Sequence, residues 1–193
     1  MKKLKFSMLT LAAGLLLFSC EKKAEESVTD VETEEVVIDN QDTADAMVLD
    51  YEITPKSGSA ISGKVNFTQT GDEVMMTIKV VGLTPGDHGI HIHEVADCSA
   101  EDGSSAGGHW DPAGSDHGKW GEEHFHMGDI GNLVANAEGV AEMTFSTDKW
   151  CIGCDDDSKN ILGHSLIIHA DADDYHSQPT GNAGGRIGCV EIR

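Results

Sequence analysis

Between residues 108 and 129 the sequence GHWDPAGSDHGKWGEEHFHMGD places four histidines and five carboxylates in 22 positions. Imidazole and carboxylate are ligands for zinc and other divalent ions, so the stretch is a candidate metal site. Abundance alone does not choose among its side chains. His109, His117, His126 and Asp129 offer three nitrogens and one carboxylate, a donor set that suits closed tetrahedral zinc. A second group lies outside the stretch. In HGIHIHE, successive strand side chains point to opposite faces, so His91 and His93 share one face while Ile90 and Ile92 take the other. That pair alone reads equally well as two surface histidines. His169 ends the apolar run of SLIIHAD and offers a third imidazole. Such a set suits Cu, Zn, Fe or Ni, and the lack of thiolate or thioether neighbours argues against a soft Cu(I) store. Seven candidates exceed one tetrahedral site. Two sites are expected, and spacing alone does not divide the ligands between them.

The elements that must position these residues are short, β-branched and punctuated by turns. AISGKVNFTQT (60–70) and DEVMMTIKVVG (72–82) flank Gly71-Asp72 and read as a hairpin. HGIHIHE, NLVANAEGVAEMTFS and HSLIIHA add four strands, with a tight turn at Glu138-Gly139, and RIGCVEI closes the chain. No stretch carries a sustained helical period. Gly- and Asp-rich loops at 97–128 and 171–185 are long enough to expect function in them. The predicted fold is all-β, a Greek-key β-sandwich or flattened barrel of about eight antiparallel strands with two functional loops.

Before this domain come two other segments. Residues 1–20 have a basic start at Lys2, Lys3 and Lys5 and a short apolar run from Leu9 to Phe18, the form of an export signal. Leu17-Phe18-Ser19-Cys20 resembles a lipobox with Cys20 as the lipidated residue, although Phe18 departs from the small residue usual there. Residues 21–46 hold ten acids, two lysines and no aromatic residue, the composition of a flexible tether. Residues 47–193 are left as one domain. The formal charge of −21 becomes −24 without the leader lysines, with −8 on the tether and −16 on the domain. That field excludes nucleic acid and anionic lipid surfaces as partners. It also means that an anionic substrate needs local positive charge.

HGIHIHE, SAGGHWDP, DHG, HMGDIGNL, LIIHADADD and GNAGGRIGC occur in the order, and nearly the spacing, of the copper/zinc superoxide dismutases. From about residue 47 onward the chain resembles that family. The resemblance implies copper on His91, His93, His109 and His169, with His109 bridging to zinc on His117, His126 and Asp129. It implies that Asp173 links a copper histidine to a zinc histidine, with Asp171 and Asp174 as neighbours in nearly the same register. It implies dismutation of superoxide, with copper alternating between two oxidation states and Arg186 attracting and positioning the anion. Arg186 and Arg193 are the only arginines, and a guanidinium is always charged with planar donors, which supports that choice independently. Electrostatic steering is a mechanism for which superoxide dismutases are themselves a standing example. The 170–185 loop is shorter than in eukaryotic members and lacks their lysines. His124 sits two residues before His126, but the HxGDxxN pattern selects His126. His88, His164 and His176 have no role in the resemblance and are expected at the surface or hydrogen-bonded, and Trp110 and Trp120 are expected to pack the loops.

Setting Cys20 aside leaves four cysteines. The resemblance implies a Cys98–Cys189 disulfide. Cys151-x-x-Cys154 is outside the family pattern, and in an exported protein it reads as a second, local disulfide. The expected location is the periplasm or cell envelope, with a membrane anchor at Cys20 and a homodimer as the candidate assembly. Family members differ in their dimer faces, and some are monomers.

Overall fold

The computed structural model describes residues 46–193, so the leader, Cys20 and the acidic stretch up to residue 45 lie outside the described residues. Nine strands run in the order β1 (Met47–Glu52), β2 (Thr54–Pro55), β3 (Ser62–Thr70), β4 (Glu73–Val81), β5 (Gly86–His93), β6 (Asp129–Ala135), β7 (Val140–Thr147), β8 (Ser165–His169) and β9 (Arg186–Glu191). One sheet has the order β1-β3-β4-β7, the other β2-β9-β8-β5-β6, and every pairing is antiparallel. The all-β expectation holds. Two edge strands, β1 and β2, add to those read from the sequence.

Alternation builds the core. Val65, Phe67, Val74, Met76, Ile78 and Val80 of the first sheet face Ile90, Ile92, Leu133, Leu166, Ile168 and Val190 of the second. The opposite face of the second sheet is also covered. There Ile167 and Cys189 pack against Ala106 of the loop between β5 and β6. This is why every residue of SLIIH in β8 is buried, a pattern that one-sided alternation does not produce. The His91 and His93 face, which the sequence also allowed as a solvated stripe, is therefore closed in by loops.

The turn at Glu138-Gly139 forms, with Gly139 N donating to Asn136 O at 3.0 Å. It joins β6 to β7, which belong to different sheets, so it is a crossover. A third long connection, 148–164, joins the two expected loops. It carries the Cys151–Cys154 disulfide and anchors to the first sheet where Ile152 N donates to Gln69 Oε1.

Candidate metal centre

β5 supplies His91 and His93, β8 ends on His169, and the loop between β5 and β6 supplies His109, His117 and His126. Asp129 opens β6. Pairing shifts register at Ile90/His91 and again at Ile168/His169. Such irregularities turn a side chain away from its regular direction, and here they fall beside two of the candidate ligands. The loop is stitched to β5 by a closed ring of backbone bonds: Trp110 N to Ile92 O, Ile92 N to Gly128 O and Gly128 N to Trp110 O, each 2.9 Å. Trp150 holds the same loop from the other side by donating Nε1–H to Met127 O at 3.0 Å.

Two groups of donor atoms result, each lying within 4.8 Å of one another: His91, His93, His109 and His169, and then His109, His117, His126 and Asp129. His109 belongs to both. All seven residues are buried. The ring nitrogens divide by role. His91 Nε2 donates to Asp173 Oδ2 at 2.8 Å, His93 Nδ1 to Gly107 O at 3.1 Å and His169 Nδ1 to Gly184 O at 3.3 Å. His117 Nε2 donates to Asp173 Oδ1 at 2.9 Å and His126 Nε2 to Ser115 O at 3.0 Å. The opposite nitrogens His91 Nδ1, His93 Nε2 and His169 Nε2 are buried without a hydrogen-bond partner, as is His109 Nε2, whereas His117 Nδ1 and His126 Nδ1 face the Asp129 carboxylate at 3.0 Å and 3.3 Å. A buried polar atom without a partner is costly, so four imidazole nitrogens gathered in the first group call for an electron-pair acceptor there. The donor sets fit metal ions: four imidazoles on one side, three imidazoles and a carboxylate on the other.

Electrostatics separate the two groups. Burial is the chief reason that His93 lies well below its ordinary value, His109 at about 4 and His169 at about 3. These rings are neutral at pH 7, the state in which imidazole donates its lone pair. Burial is also the largest influence on His117 and pulls it down, but hydrogen bonds and charge from Asp129 and Asp173 together push it up to about 9. Asp129 is pushed up by burial, yet contacts with His109, His117 and His126 hold it well below the carboxylate range. Asp129 is thus an ionised carboxylate, the form that binds a cation.

Asp173 accepts from one ring of each group, which ties them together mechanically. Its backbone is gripped in turn by Asn132, whose Nδ2 donates to Asp173 O at 3.0 Å and whose Oδ1 accepts from Asp173 N at 2.8 Å. Asp171 and Asp174 make no such link: Asp174 orders its own loop by accepting from His176 N and Ser177 N. Gln178 grips His117 in the same two-bond manner, through His117 N and O at 2.9 Å each. Asn132 lies in the HxGDxxN pattern that selected His126. Gln178 has no local signal.

Arg186 donates Nη1–H to Gly103 O at 2.7 Å and Nη2–H to Gly107 O at 2.6 Å. Gly107 O is also the acceptor for His93 Nδ1, so the guanidinium and one ring of the first group share a carbonyl. Cys98 and Cys189 form a disulfide with Cα atoms 5.9 Å apart, which holds this loop against β9. His124 is exposed. His164 stacks on buried Trp110 with ring centroids 4.4 Å apart, and Trp120 packs against Phe125, Phe145 and Trp150. His88 is buried rather than superficial, with Nδ1 on His169 O and Nε2 on Thr84 O, both at 2.9 Å.

Residues 61–192 match the family described as copper/zinc superoxide dismutase. The chain belongs to the copper/zinc superoxide dismutase family. It is 39% identical over 140 residues to the extracellular superoxide dismutase [Cu-Zn] of Brugia pahangi, covering 67% of each protein. A crystal structure of a double mutant of a SOD-like protein from Bacillus subtilis superposes with a TM-score of 0.67 at 32% identity, covering 74% of this chain and 95% of that one. The protein is accordingly a superoxide-dismutating enzyme with copper and zinc as its cofactors.

Gly181, beside the two groups, has no room for a side chain. A Cβ on Gly181 would lie 1.9 Å from Asp173 Oδ1 and 2.6 Å from His117 Nε2, and its φ of +66° disfavours a side chain as well. Gly181→Ala is expected to break the Asp173–His117 hydrogen bond and weaken zinc binding about 10- to 100-fold, as loss of a ligand-orienting contact does. Chelator competition measures this, and unchanged zinc affinity would show that the contact orients nothing.

Proposed function

We propose that the protein dismutes superoxide to dioxygen and hydrogen peroxide outside the cytoplasm and thereby protects against superoxide. In this reading His91, His93, His109 and His169 hold copper, and His109, His117, His126 and Asp129 hold zinc. The observation that carries it is the position of His109, whose Nε2 faces the all-imidazole set while its Nδ1 lies 2.8 Å from Asp129 Oδ1. When bound, copper supplies a one-electron couple that takes an electron from one superoxide and returns it to a second, while zinc supplies fixed positive charge.

The chain's own residues then divide the remaining work. His109 would offer Nε2 to the copper group and Nδ1 to the zinc group, and flanking positive charge would make the loss of both ring protons feasible. Its Nε2 would be the atom to hold a proton for the peroxide, with solvent as the source of the second. Asp173 fixes the rings of His91 and His117 through their outer nitrogens. Arg186, anchored by two of its five N–H groups, keeps the others for a small oxyanion.

Residues 1–20 direct export, Cys20 carries a lipid anchor in the cell envelope or periplasm, and 21–46 tether the domain 47–193. The extracellular designation of the Brugia pahangi relative and the two disulfides support export. A homodimer is the proposed assembly.

Purified protein is expected to hold one copper and one zinc per chain and to dismute superoxide. No activity with both metals loaded would overturn the reading. Arg186→Glu should leave both sites filled and lower kcat/KM at least about tenfold at low ionic strength, because it reverses the charge that draws the anion. An unchanged rate under those conditions would remove Arg186 from the mechanism.

A further inference from the structure

The peptide that joins Gly107 to Gly108 serves two members of the site at once. Its carbonyl accepts from His93 Nδ1 at 3.1 Å and from Arg186 Nη2 at 2.6 Å. A peptide unit is planar and trans, so its N–H points opposite to its C=O, and whatever holds the one aims the other. The backbone gives this unit little stiffness of its own. It lies between two glycines, and Gly107 has φ of 78° and ψ of −157°, a region open essentially to glycine alone.

Glu94, the residue after His93 in HGIHIHE, holds the N–H side. Gly108 N donates to Glu94 Oε2 at 3.1 Å, and Glu94 N donates to Gly108 O at 3.0 Å. The side chain also lies over Gly107, where a Cβ would come 2.7 Å from Glu94 Oε2 and 3.2 Å from Glu94 Cβ. Glu94 is itself fixed from another direction. Its carbonyl accepts from His164 Nδ1 at 2.9 Å, and that ring stacks on buried Trp110. The residue is exposed, so its side chain adds nothing to the core, and its contacts fall on the one peptide that His93 and Arg186 share.

We propose that Glu94 is a positioning residue of the copper group: by holding the Gly108 N–H it keeps the Gly107 carbonyl aimed at both His93 and Arg186. This rests on the roles proposed above for those two residues. Without the carboxylate the peptide is free to rotate between its glycines, and the ring and the guanidinium lose their common acceptor together. The sign of the effect separates positioning from charge. Glu94 is an anion next to a ligand of a site that receives an anion, so removing its charge alone would tighten anion binding. Loss of positioning weakens it.

The test uses full-length protein loaded with copper and zinc. Azide is titrated optically, and the copper electron paramagnetic resonance spectrum is recorded without azide. Glu94→Ala should raise the azide Kd about three- to tenfold, the scale of one net hydrogen bond, and should alter the copper hyperfine splitting. Glu94→Gln keeps an oxygen acceptor for Gly108 N–H while removing the charge. It should stay within about twofold of the unaltered protein in azide Kd and leave the splitting in place. An azide Kd that is unchanged or lower in Glu94→Ala, or a copper spectrum that does not move, overturns the proposal. Equal losses in Glu94→Ala and Glu94→Gln overturn it as well, because an acceptor would then not be what holds the peptide. Arg186→Gln is the control. If it weakens azide while Glu94→Ala does not, positioning by Glu94 is refuted and the role of Arg186 stands. If Arg186→Gln has no effect either, both fall.

Discussion

Replacing His109 with alanine is expected to damage both metal sites with one substitution. His109 is the residue common to the two donor groups, and its partners do not compensate for one another. The copper group would keep His91, His93 and His169, and the zinc group His117, His126 and Asp129. Changing a residue that merely orients a ligand already costs about 10- to 100-fold in metal affinity. Removal of a shared ligand should cost on the order of 100-fold or more at the zinc group, which keeps three donors around a buried gap. Asp129 would also lose its 2.8 Å contact with His109 Nδ1 and be left with His117 and His126. Dismutation should fall at least as far, because the proton-holding Nε2 disappears with the ring. Zinc affinity by chelator competition and the electron paramagnetic resonance spectrum with and without zinc check this. In the unaltered protein zinc should change the copper spectrum, and in His109→Ala it should not. A copper geometry still dependent on zinc would refute the bridge.

The legibility of this site in the sequence follows from how its residues are connected. His109, His117, His126 and Asp129 fall within 21 consecutive positions, and His91 and His93 sit two apart on a strand, so their spacing carries information. The fold was legible for the same reason: apolar alternation in β3 and β4 marks one buried face. Where burial is two-sided, as in β8, alternation is absent and only the run of Leu166-Ile167-Ile168 marks the strand. β1 and β2 lie at sheet edges; no residue of β1 is fully buried, and β2 has two residues, one a proline, which gives little pattern to read. The Asn136–Gly139 turn looks the same in sequence whether it closes a hairpin or changes sheets, because turn chemistry reports only local backbone. Gln178 on His117, Asn132 on Asp173 and Lys56 on Cys98 span 61, 41 and 42 positions. Side-chain grips over such separations leave no periodicity. They are also what holds the ligands in place, so the sequence announced the metal donors while their supports became visible only in the folded chain.

The two disulfides should contribute very differently to stability, although both look alike as cysteine pairs. Cys98 and Cys189 are 91 positions apart, whereas Cys151 and Cys154 are three apart. In the chain-entropy account, closing the longer loop removes enough freedom from the unfolded chain to stabilise the fold by about 4–5 kcal/mol, against about 2 kcal/mol for the shorter. Cys98→Ala with Cys189→Ala is therefore expected to cost roughly twice as much as the double replacement at 151 and 154. Denaturant unfolding of the metal-free protein measures both, since bound metals would add their own stabilisation. The longer bridge also bears on chemistry. It fixes the loop whose Gly103 and Gly107 carbonyls hold Arg186, and Cys98 itself donates its N–H to Glu191 Oε1 at 2.8 Å and accepts from Lys56. Its loss should thus weaken azide binding in copper-loaded protein that remains folded, while loss of the shorter bridge should not. Equal unfolding costs would show that the entropy of the closed loop is not what these bridges contribute. Unaltered azide affinity without Cys98–Cys189 would show that hydrogen bonds alone hold the arginine.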